Sequence, residues 1–339
     1  MNETDNVLLD VKGLKKYFPL TGSGVFRRTV GYIKAVDDVT FKVRRGETVG
    51  VVGESGCGKT TLGRCVSRLY DLTDGQIALR YDGKQINVET LTREENHEFR
   101  RNVQVIFQDP YSSLNPRMTV LQMVGESLLV NGIARGKELE ERVTDMILRV
   151  GLRVEHLRRY PHSFSGGQRQ RIGLARALVV NPRLVVADEP VSALDVSIQA
   201  QILNQLRDLQ QDFGLSYIFI SHNMSVIRYM SDRVLVMYAG KLVETAQRDA
   251  LLNKPQHPYT EMLLSAVPKV TQRHSVVRAV TRGEPPNLLK LPTGCVFHPR
   301  CKYAKEICEE QAPELLNLSE QHQARCHFAG ELGLQGITG

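Results

Sequence analysis

The segment "TVGVVGESGCGKTTL", Thr48 to Leu62, decides the fold. Its start is apolar or small and predicts a buried strand, whereas its end opens an amphipathic helix. Between them, Gly53 to Thr61 match the phosphate-binding pattern G-x-x-x-x-G-K-[ST] in the strand-to-helix context that this pattern needs. Backbone N–H groups of such a loop surround phosphate oxygens, helped by the N-terminus of the helix. The segment predicts an α/β protein that binds ATP or a related nucleotide.

The residues of this phosphate loop have distinct expected roles. Lys59 should reach the β- and γ-phosphates, and Thr60 should bind Mg²⁺. We interpret Cys57 as a small filler at a variable position, and Cys65 as part of the apolar side of the helix. The expected nucleotide contacts are Gly53, Glu54, Ser55, Gly56, Cys57, Gly58, Lys59, Thr60 and Thr61.

A second strand ends in two carboxylates, in "RLVVADEP" from Arg183 to Pro190. Parallel α/β sheets bind their ligands at the carboxyl ends of the strands, so Asp188 and Glu189 should lie at that edge. Asp188 is expected to hold Mg²⁺, and Glu189 to act as the general base on the attacking water. Alone, this ending also suits an ordinary strand; after a phosphate loop it predicts hydrolysis.

Length and composition are those of a globular protein with at least one large core. The chain has 339 residues, 42% of them hydrophobic and 24% charged, and a formal net charge of +7. No apolar run approaches the roughly 20 residues of a membrane helix, and the N-terminus does not resemble a signal peptide. From Val7 to about Met262, strand and helix patterns alternate. The segment from Leu20 to Lys34 is a basic excursion that we interpret as a solvated loop.

A third motif makes the chain recognisable. "SFSGGQRQRIGLARAL", Ser163 to Leu178, resembles the signature motif of ATP-binding-cassette ATPases, with Phe164 in place of the usual Leu. Ser165, Gly166, Gly167 and Gln168 stand at a helix start, where N–H groups and the helix dipole favour an anion. The resemblance implies that two cassettes close head to tail, each phosphate loop facing the signature motif of the partner. One chain alone should therefore hydrolyse ATP poorly.

Further elements of that family follow in order along the chain. The resemblance gives them roles in sensing Mg²⁺ and water, in crossing to the partner site, in contacting the γ-phosphate and in stacking on adenine. Asn223 stands where the family often has Asp. Phe18 is the alternative to its neighbour Tyr17 as the aromatic residue that stacks on adenine. In the order of these roles, the elements are Gln108 in "VIFQDP", Ser192 to Asp195 in "SALD", His222 in "ISHN" and Tyr17 in "LKKYF".

These motifs imply an α/β P-loop NTPase cassette at residues 1–262, with an α-helical signature subdomain at about 110–180. Residues 263–339 should form a small Cys-rich C-terminal extension. The short interval between phosphate loop and signature has no sustained heptads, unlike the chromosome-maintenance members. Translation members usually carry two cassettes. Transport is therefore the favoured role.

Sequences at both ends of the chain narrow the resemblance. "YSSLNPRMTV", "HPYTEMLLSAVP" and "GEPPNLLKLPTGCVFHPRC" resemble the ATPase subunits of bacterial dipeptide and oligopeptide importers. That resemblance implies a second, non-identical ATPase subunit, two membrane permease subunits and an extracytoplasmic substrate-binding protein. Residues 108–116 should form part of the cleft for the permease, on the cytoplasmic face of the inner membrane. A nickel or glutathione importer, or a soluble nucleic-acid-linked ATPase, is the alternative; no nucleic-acid partner is expected.

The tail contains a four-cysteine cluster whose members are separated by five, six and seventeen residues. Zinc sites normally pair closer ligands, so these gaps favour a [4Fe–4S] cluster, with Zn²⁺ as the alternative. We interpret His298, His322 and His327 as local hydrogen-bonding groups. A metal here would staple a small tail, and we expect this role to be separate from nucleotide binding. The cysteines are Cys295, Cys301, Cys308 and Cys326.

Overall fold

The computed structural model describes residues 6–21, 29–109, 113–267 and 286–337. The chain is divided into two units, and it passes between them several times. The first unit comprises Met1–Leu9, Val43–Thr48 and Ala78–Ile220. The second unit comprises Asp10–Lys42, Val49–Ile77 and Ser221–Gly339.

Strands and helices alternate along the chain, as the sequence predicts. The strands are β1 (Val7–Thr21), β2 (Thr29–Arg44), β3 (Thr48–Val52), β4 (Asp74–Tyr81), β5 (Lys84–Asn87), β6 (Val103–Ile106), β7 (Leu184–Asp188), β8 (Ser216–Ser221), β9 (Arg233–Tyr238), β10 (Lys241–Gln247), β11 (Leu316–Ser319) and β12 (His322–Ala324). The helices are α1 (Lys59–Val66), α2 (Arg93–Asn102), α3 (Val120–Val130), α4 (Gly136–Arg149), α5 (Gly166–Leu178), α6 (Val196–Phe213), α7 (Met224–Met230), α8 (Arg248–Asn253), α9 (Pro258–Ser265) and α10 (Glu306–Glu310).

Three parallel strands form the centre of the first unit. Strand β7 pairs with β6 on one side and β8 on the other, with Leu184 opposite both Val103 and Ser216. Every residue of β7 and β8 is buried, as expected for parallel strands covered on both faces. Helices α3, α4 and α5 pack against one another within this unit, in the range where the sequence predicts the helical subdomain.

Local sequence signals explain where the helices of this unit begin and end. Helices α2, α3 and α5 each begin with a capping box, in which a hydroxyl and a Glu or Gln three residues later satisfy each other's backbone N–H groups. Helix α6 ends at Gly214, whose φ of 62° is left-handed. The capping pairs are Thr92–Glu95, Thr119–Gln122 and Ser165–Gln168.

In the second unit, β3 lies parallel to β9, which forms a hairpin with β10. The turn residues Ala239 and Gly240 both have positive φ, 49° and 81°, as a two-residue type I′ turn requires. Strand β12 pairs antiparallel with β10, and β11 pairs with β12. Both tail strands therefore extend this sheet, which the sequence did not predict.

The expectation of a solvated loop from Leu20 to Lys34 is modified. Leu20 and Thr21 belong to β1, and β2 begins at Thr29, so the flanks of the expected basic loop are strands. Residues 22–28, the middle of that loop, lie outside the described residues, as do residues 110–112 of the expected permease cleft. Within the described ranges, none of the helices combines the length and hydropathy needed to span a bilayer.

Candidate nucleotide site and cysteine-rich tail

The phosphate loop connects β3 to α1 in the second unit, as predicted. Gly58 caps α1 with a φ of 105°, a conformation that side chains other than glycine's strongly disfavour. A Cβ atom on Gly58 would also lie 2.1 Å from the carbonyl oxygen of Ala35. The loop therefore needs glycine here for both its conformation and its close packing.

Lys59 is enclosed by its own loop. Its Nζ donates hydrogen bonds to the carbonyl oxygens of Gly53 and Glu54, both at 2.8 Å, and the residue is only 5% exposed. The Sγ of Cys57 lies 3.8 Å from the same ammonium. Burial raises the pKa of the Cys57 thiol, which keeps it protonated and agrees with its interpretation as a small filler.

The outer side of the loop is held by residues that the sequence did not indicate as functional. The backbone N–H of Glu54 donates to the hydroxyl of Tyr259 at 2.7 Å. The Glu54 carboxylate accepts two hydrogen bonds from the Arg300 guanidinium, at 2.6 and 2.9 Å. Arg300 belongs to the Cys-rich tail, so the tail contacts the phosphate loop directly. The predicted separation between the metal site of the tail and nucleotide binding stays a prediction, because the contact is made by Arg300 and not by a cysteine.

The "HPYT" motif builds one of these contacts. His257 caps α9, its Nδ1 accepting the N–H of Tyr259 at 3.0 Å, and Pro258 occupies the first turn. The N–H of His257 donates to the buried Glu244 carboxylate at 2.9 Å. Complete burial lowers the pKa of His257 to about 3, so the ring is neutral. The motif was visible in the sequence, but its partner Glu54 is 205 residues away from Tyr259.

Tyr17, the predicted adenine-stacking residue, lies half-buried on β1 in the second unit. Its hydroxyl donates to Asp37 at 2.5 Å, and Lys34 Nζ lies 5.5 Å from the ring centroid. Burial and the Asp37 contact raise the pKa of Tyr17, so the phenol stays neutral. Phe18, the alternative, instead packs edge-on against Tyr70 at 5.5 Å.

His222 directly follows β8 and is exposed in the second unit. Asn223 caps α7, because its side-chain oxygen accepts the N–H of Ser225 at 2.9 Å. Asn and Asp are similarly good helix caps, so the departure from the usual Asp leaves the local fold intact.

The three predicted hydrolytic residues of the first unit lie at neighbouring strand ends. Gln108 follows β6, Asp188 ends β7, and Glu189 comes next. The Nε2 of Gln108 donates to Oε2 of Glu189 at 3.1 Å. Glu189 has a left-handed φ of 47°, and its N–H donates to the carbonyl of Ile220 at 3.0 Å. The structure thus brings the proposed base and the proposed water sensor into direct contact.

The signature motif forms the start of α5 in the first unit. The hydroxyl of Ser165 accepts the N–H of Gln168 at 3.3 Å. A Cβ on Gly167 would lie 2.7 Å from a methyl of Ile198, so glycine allows α5 to approach α6 closely. Asp195 caps α6 by accepting the N–H of Ile198 at 3.0 Å. Signature and "SALD" residues therefore lie at two neighbouring helix N-termini.

The four tail cysteines line one small cavity within the second unit, together with His298 and His327. Burial raises the pKa values of Cys301 and Cys326 to about 11, so both thiols are protonated at neutral pH. A backbone hydrogen bond also joins two of the cysteine residues: the N–H of Cys295 donates to the carbonyl of Cys308 at 2.8 Å.

Each of the three tail histidines has a hydrogen-bonding partner, but only that of His298 is close in sequence, so the prediction of local partners is confirmed for His298 alone. His298 Nδ1 lies 3.0 Å from the carbonyl of Cys295, and His327 Nε2 lies 2.9 Å from that of Gln311. His322 Nε2 lies 2.8 Å from the Glu244 carboxylate.

A metal site is not supported by the arrangement of these side chains. Across residues 6–21, 29–109, 113–267 and 286–337, no group of three or more His, Cys, Asp or Glu side chains could hold a metal ion. The four cysteines share a cavity, and four thiols are the donor set of a [4Fe–4S] cluster or a zinc site. The donor chemistry fits such a group, whereas the positions of the sulfur atoms do not yet form its cage.

Two family models match the chain. The ABC transporter family matches residues 36–192, and the oligopeptide/dipeptide transporter C-terminal region matches residues 243–308. The first match includes the phosphate loop, the signature motif and the carboxylate pair; the second includes the "HPYT" motif and three of the four tail cysteines.

Curated relatives match over nearly their whole length. The oligopeptide transport ATP-binding protein AppF of Bacillus subtilis is 50% identical over 324 residues, covering 95% of this chain and 97% of AppF. The di/tripeptide transport ATP-binding protein DppF of Pseudomonas aeruginosa is 45% identical, with 95% of this chain and 98% of DppF covered. The dipeptide transport ATP-binding protein DppF of Haemophilus influenzae is 47% identical, with 93% of each chain covered.

Solved structures show the same fold. A dimeric post-hydrolysis structure of the ATP-binding cassette MJ0796, bound to ADP and Pi, has a TM-score of 0.61 and 27% identity, covering 71% of this chain and 99% of MJ0796. CbiO1 of Clostridium perfringens, part of the ABC transporter complex cbiONQ, has a TM-score of 0.60 and 24% identity, covering 73% of this chain and 90% of cbiO1.

Proposed function

The chain belongs to the ABC transporter family of ATPases, and we propose that it is the ATP-hydrolysing subunit of a bacterial importer of dipeptides and oligopeptides. The observation that carries this proposal is the joint presence of the cassette and the oligopeptide/dipeptide C-terminal region on one chain. Three relatives named for peptide transport support the substrate class over more than 90% of their length. ATP-driven closure of a cassette dimer would then drive the permease.

Hydrolysis is assigned to side chains whose local geometry suits it. Lys59 would bind the phosphates, and Thr60, Gln108 and Asp188 would hold Mg²⁺. Bound Mg²⁺ neutralises charge that develops on the phosphoryl oxygens. Glu189 accepts a proton from the attacking water, while the hydrogen bond from Gln108 to Oε2 orients that carboxylate.

The remaining nucleotide contacts follow the family pattern. Tyr17 stacks on adenine and His222 contacts the γ-phosphate. Ser165 to Gln168 bind the nucleotide held by a partner cassette, and Asp195 crosses to that partner. The signature residues lie at the start of α5, and the dipole of a helix favours an anion at its N-terminus.

The partners follow from the same proposal. They are a second, non-identical ATPase subunit, two permease subunits and an extracytoplasmic substrate-binding protein. The chain would bind at the cytoplasmic face of the inner membrane as a peripheral subunit. Residues near Gln108 would receive a cytoplasmic helix of the permease.

Reconstitution of the whole transporter in proteoliposomes tests this function. ATPase activity should rise when the binding protein is loaded with peptide, and labelled peptide should accumulate in the vesicles. Lys59→Ala should abolish both signals because it removes the phosphate-binding cation. Accumulation of Ni²⁺ or glutathione in place of peptide would assign a different cargo to the same machine. ATPase activity stimulated by nucleic acid without membranes would contradict the transport role.

For the tail, we propose that the four cysteines bind a [4Fe–4S] cluster as a structural staple, with Zn²⁺ as the alternative. Their shared cavity and the count of four cysteines support this proposal. The ligands would be Cys295, Cys301, Cys308 and Cys326.

Metal analysis of protein purified without oxygen tests the staple. About four irons per chain and a broad absorption band near 400 nm are expected for the cluster. One zinc and no visible absorption would identify the alternative. Cys301→Ser should lose the metal, whereas Cys65→Ala, a buried cysteine of α1, should retain it. The absence of both metals from the wild type would contradict the staple.

A further inference from the structure

We propose that Arg300 of the Cys-rich tail is a positioning residue for the phosphate loop and sets the affinity of the loop for ATP through Glu54. This inference rests on the proposed ATPase function. Arg300 and Glu54 are 246 residues apart in sequence and lie in the same unit. Arg300 touches neither ATP nor the reacting atoms in this proposal; it acts by fixing the first turn of the loop.

The ion pair has the geometry of a rigid clamp. The two terminal guanidinium nitrogens of Arg300 each donate to a different Glu54 oxygen, at 2.6 and 2.9 Å. The Arg300 side chain is 5% exposed and the Glu54 side chain 25% exposed, so water screens the pair only weakly. A bidentate guanidinium fixes direction as well as distance, which a single ammonium cannot do.

Glu54 transmits this constraint because three of its groups are bound at once. Its carboxylate is held by Arg300, and its N–H donates to Tyr259 at 2.7 Å. Its carbonyl oxygen accepts from Lys59 Nζ at 2.8 Å. The backbone conformation of one residue, Glu54, therefore depends on the tail and also fixes the phosphate-binding lysine.

The Arg300–Glu54 ion pair lies next to a packed aromatic cluster formed by Phe297, Tyr238 and Tyr259. Phe297 packs against Tyr238 and Tyr259 with ring centroids 5.2 and 5.4 Å apart, and the two tyrosines are 4.6 Å apart. The hydroxyl of Tyr238 lies 3.4 Å from a guanidinium nitrogen of Arg300. Arg300 ends a short 3-10 turn, His298–Arg300, between Cys295 and Cys301. The fold of the tail thus determines where the guanidinium points.

The test is ATP affinity, measured with a fluorescent ATP analogue on the full-length chain, followed by kcat and KM in the assembled transporter. Arg300→Ala should weaken binding about two- to thirtyfold, because residues that hold a site without touching its ligand change the affinity by about this much. Arg300→Lys should lose part of this affinity, since lysine keeps the charge but cannot make the two parallel hydrogen bonds of the guanidinium. KM should rise more than kcat falls. Glu54→Gln should also weaken binding, because it removes the charge that Arg300 binds. Unlike Arg300→Ala, it leaves no cavity in the packing.

Two controls separate positioning from general stability. Lys302→Ala removes a cation from the same tail segment, where Lys302 pairs with Glu261 at 3.0 Å, and should keep wild-type affinity. Arg300→Ala should have little further effect in the Glu54→Gln background, because residues that act through one another are not additive. Circular dichroism and thermal melts establish that each variant is folded.

Three results would overturn the inference. These are wild-type affinity in folded Arg300→Ala protein, equal losses in Arg300→Ala and Lys302→Ala, or additive effects of Arg300→Ala and Glu54→Gln. Failure of the wild-type chain to bind ATP would instead contradict the proposed function.

Discussion

Glu189 has a backbone conformation that few residues other than glycine adopt. Its φ of 47° is left-handed, and its carbonyl oxygen accepts the N–H and the hydroxyl of Ser192, at 3.2 and 3.1 Å. Such conformations persist where surrounding contacts determine them, and they occur preferentially at functional sites. With Gln108 bound to the carboxylate, this geometry supports the role of general base that the sequence predicts.

Glu189→Gln should therefore lower kcat of the assembled transporter by about a hundredfold or more while retaining ATP binding, because general-base catalysis contributes about 10²–10⁴-fold. Steady-state ATPase assays and nucleotide binding measure the two effects. The matched control is Glu98→Gln, a carboxylate of the same unit that pairs with Lys84 at 3.1 Å and should leave kcat unchanged. Normal turnover by Glu189→Gln would mean that the base is misassigned or that the partner's site does the work.

Phe164 shows how one residue departs from the family pattern without disturbing the fold. It replaces the usual Leu of the signature motif, is 5% exposed and packs edge-on against His156 at 5.2 Å. An aromatic ring fills this apolar position before the helix cap, so the position needs a large apolar side chain more than a particular shape.

At the scale of the element, α2 and α5 begin with the same capping box but differ in expected function. Ser165→Ala and Thr92→Ala should each destabilise the fold by about 0.5–2 kcal/mol, because each removes a hydroxyl that satisfies a helix N–H. Urea unfolding measures this loss. Only Ser165→Ala should also lower the ATPase activity of the transporter. Equal activity losses in the two variants would contradict a nucleotide role for Ser165.

Helix α9 should make the fold sensitive to acid through its cap. The pKa of His257 is lowered to about 3 in the folded chain, whereas an unfolded histidine has a pKa of about 6.5. Between these values the unfolded state binds one proton more, so stability falls as the pH decreases below about 6.5, by up to about 1.4 kcal/mol per pH unit.

His257→Asn removes the group that binds this proton in the unfolded state and retains a side chain that can cap the helix. Between pH 7.5 and pH 5, the wild type should lose up to about 2 kcal/mol more stability than the variant. Chemical unfolding of both proteins at the two pH values measures the difference. The same pH dependence in both would show that His257 is not buried as a neutral ring.

At the scale of the whole molecule, the proposed head-to-tail pairing makes activity depend on assembly. With ATP and Mg²⁺, Glu189→Gln should form a lasting complex with the second ATPase subunit, because ATP is bound but not hydrolysed. Lys59→Ala should not form it, because it lacks the cation that binds the phosphates. Light scattering after size-exclusion chromatography distinguishes the two. Nucleotide-independent pairing of both variants would contradict ATP-driven closure.

Much of the candidate site could be predicted because its signals are local. The phosphate loop follows from glycine spacing between a strand and a helix, and Asp188 and Glu189 follow from an apolar strand that ends in carboxylates. Capping boxes mark the starts of α2, α3 and α5. Each of these features depends on residues close in sequence, whose backbone preferences are the same wherever the segment lies.

The tail illustrates what local patterns leave open. Its cysteine spacing indicated that the four side chains meet at one place, as they do, but not that their sulfur atoms would form no metal cage among the residues described. Nor did any pattern show that β11 and β12 extend the sheet through β10. Pairing between distant strands depends on which edge remains available after the rest of the unit has folded.

The sequence alone determined the cassette, its phosphate loop and its signature helix, and it predicted the hydrolytic carboxylate, because each is encoded in a short run of residues. Only the tertiary structure showed that Gln108 binds Glu189, that Tyr259 holds the N–H of Glu54, and that Arg300 clamps its carboxylate. These contacts join residues 81, 205 and 246 positions apart. Their partners are selected by burial and by the geometry of packed elements, which no local pattern contains.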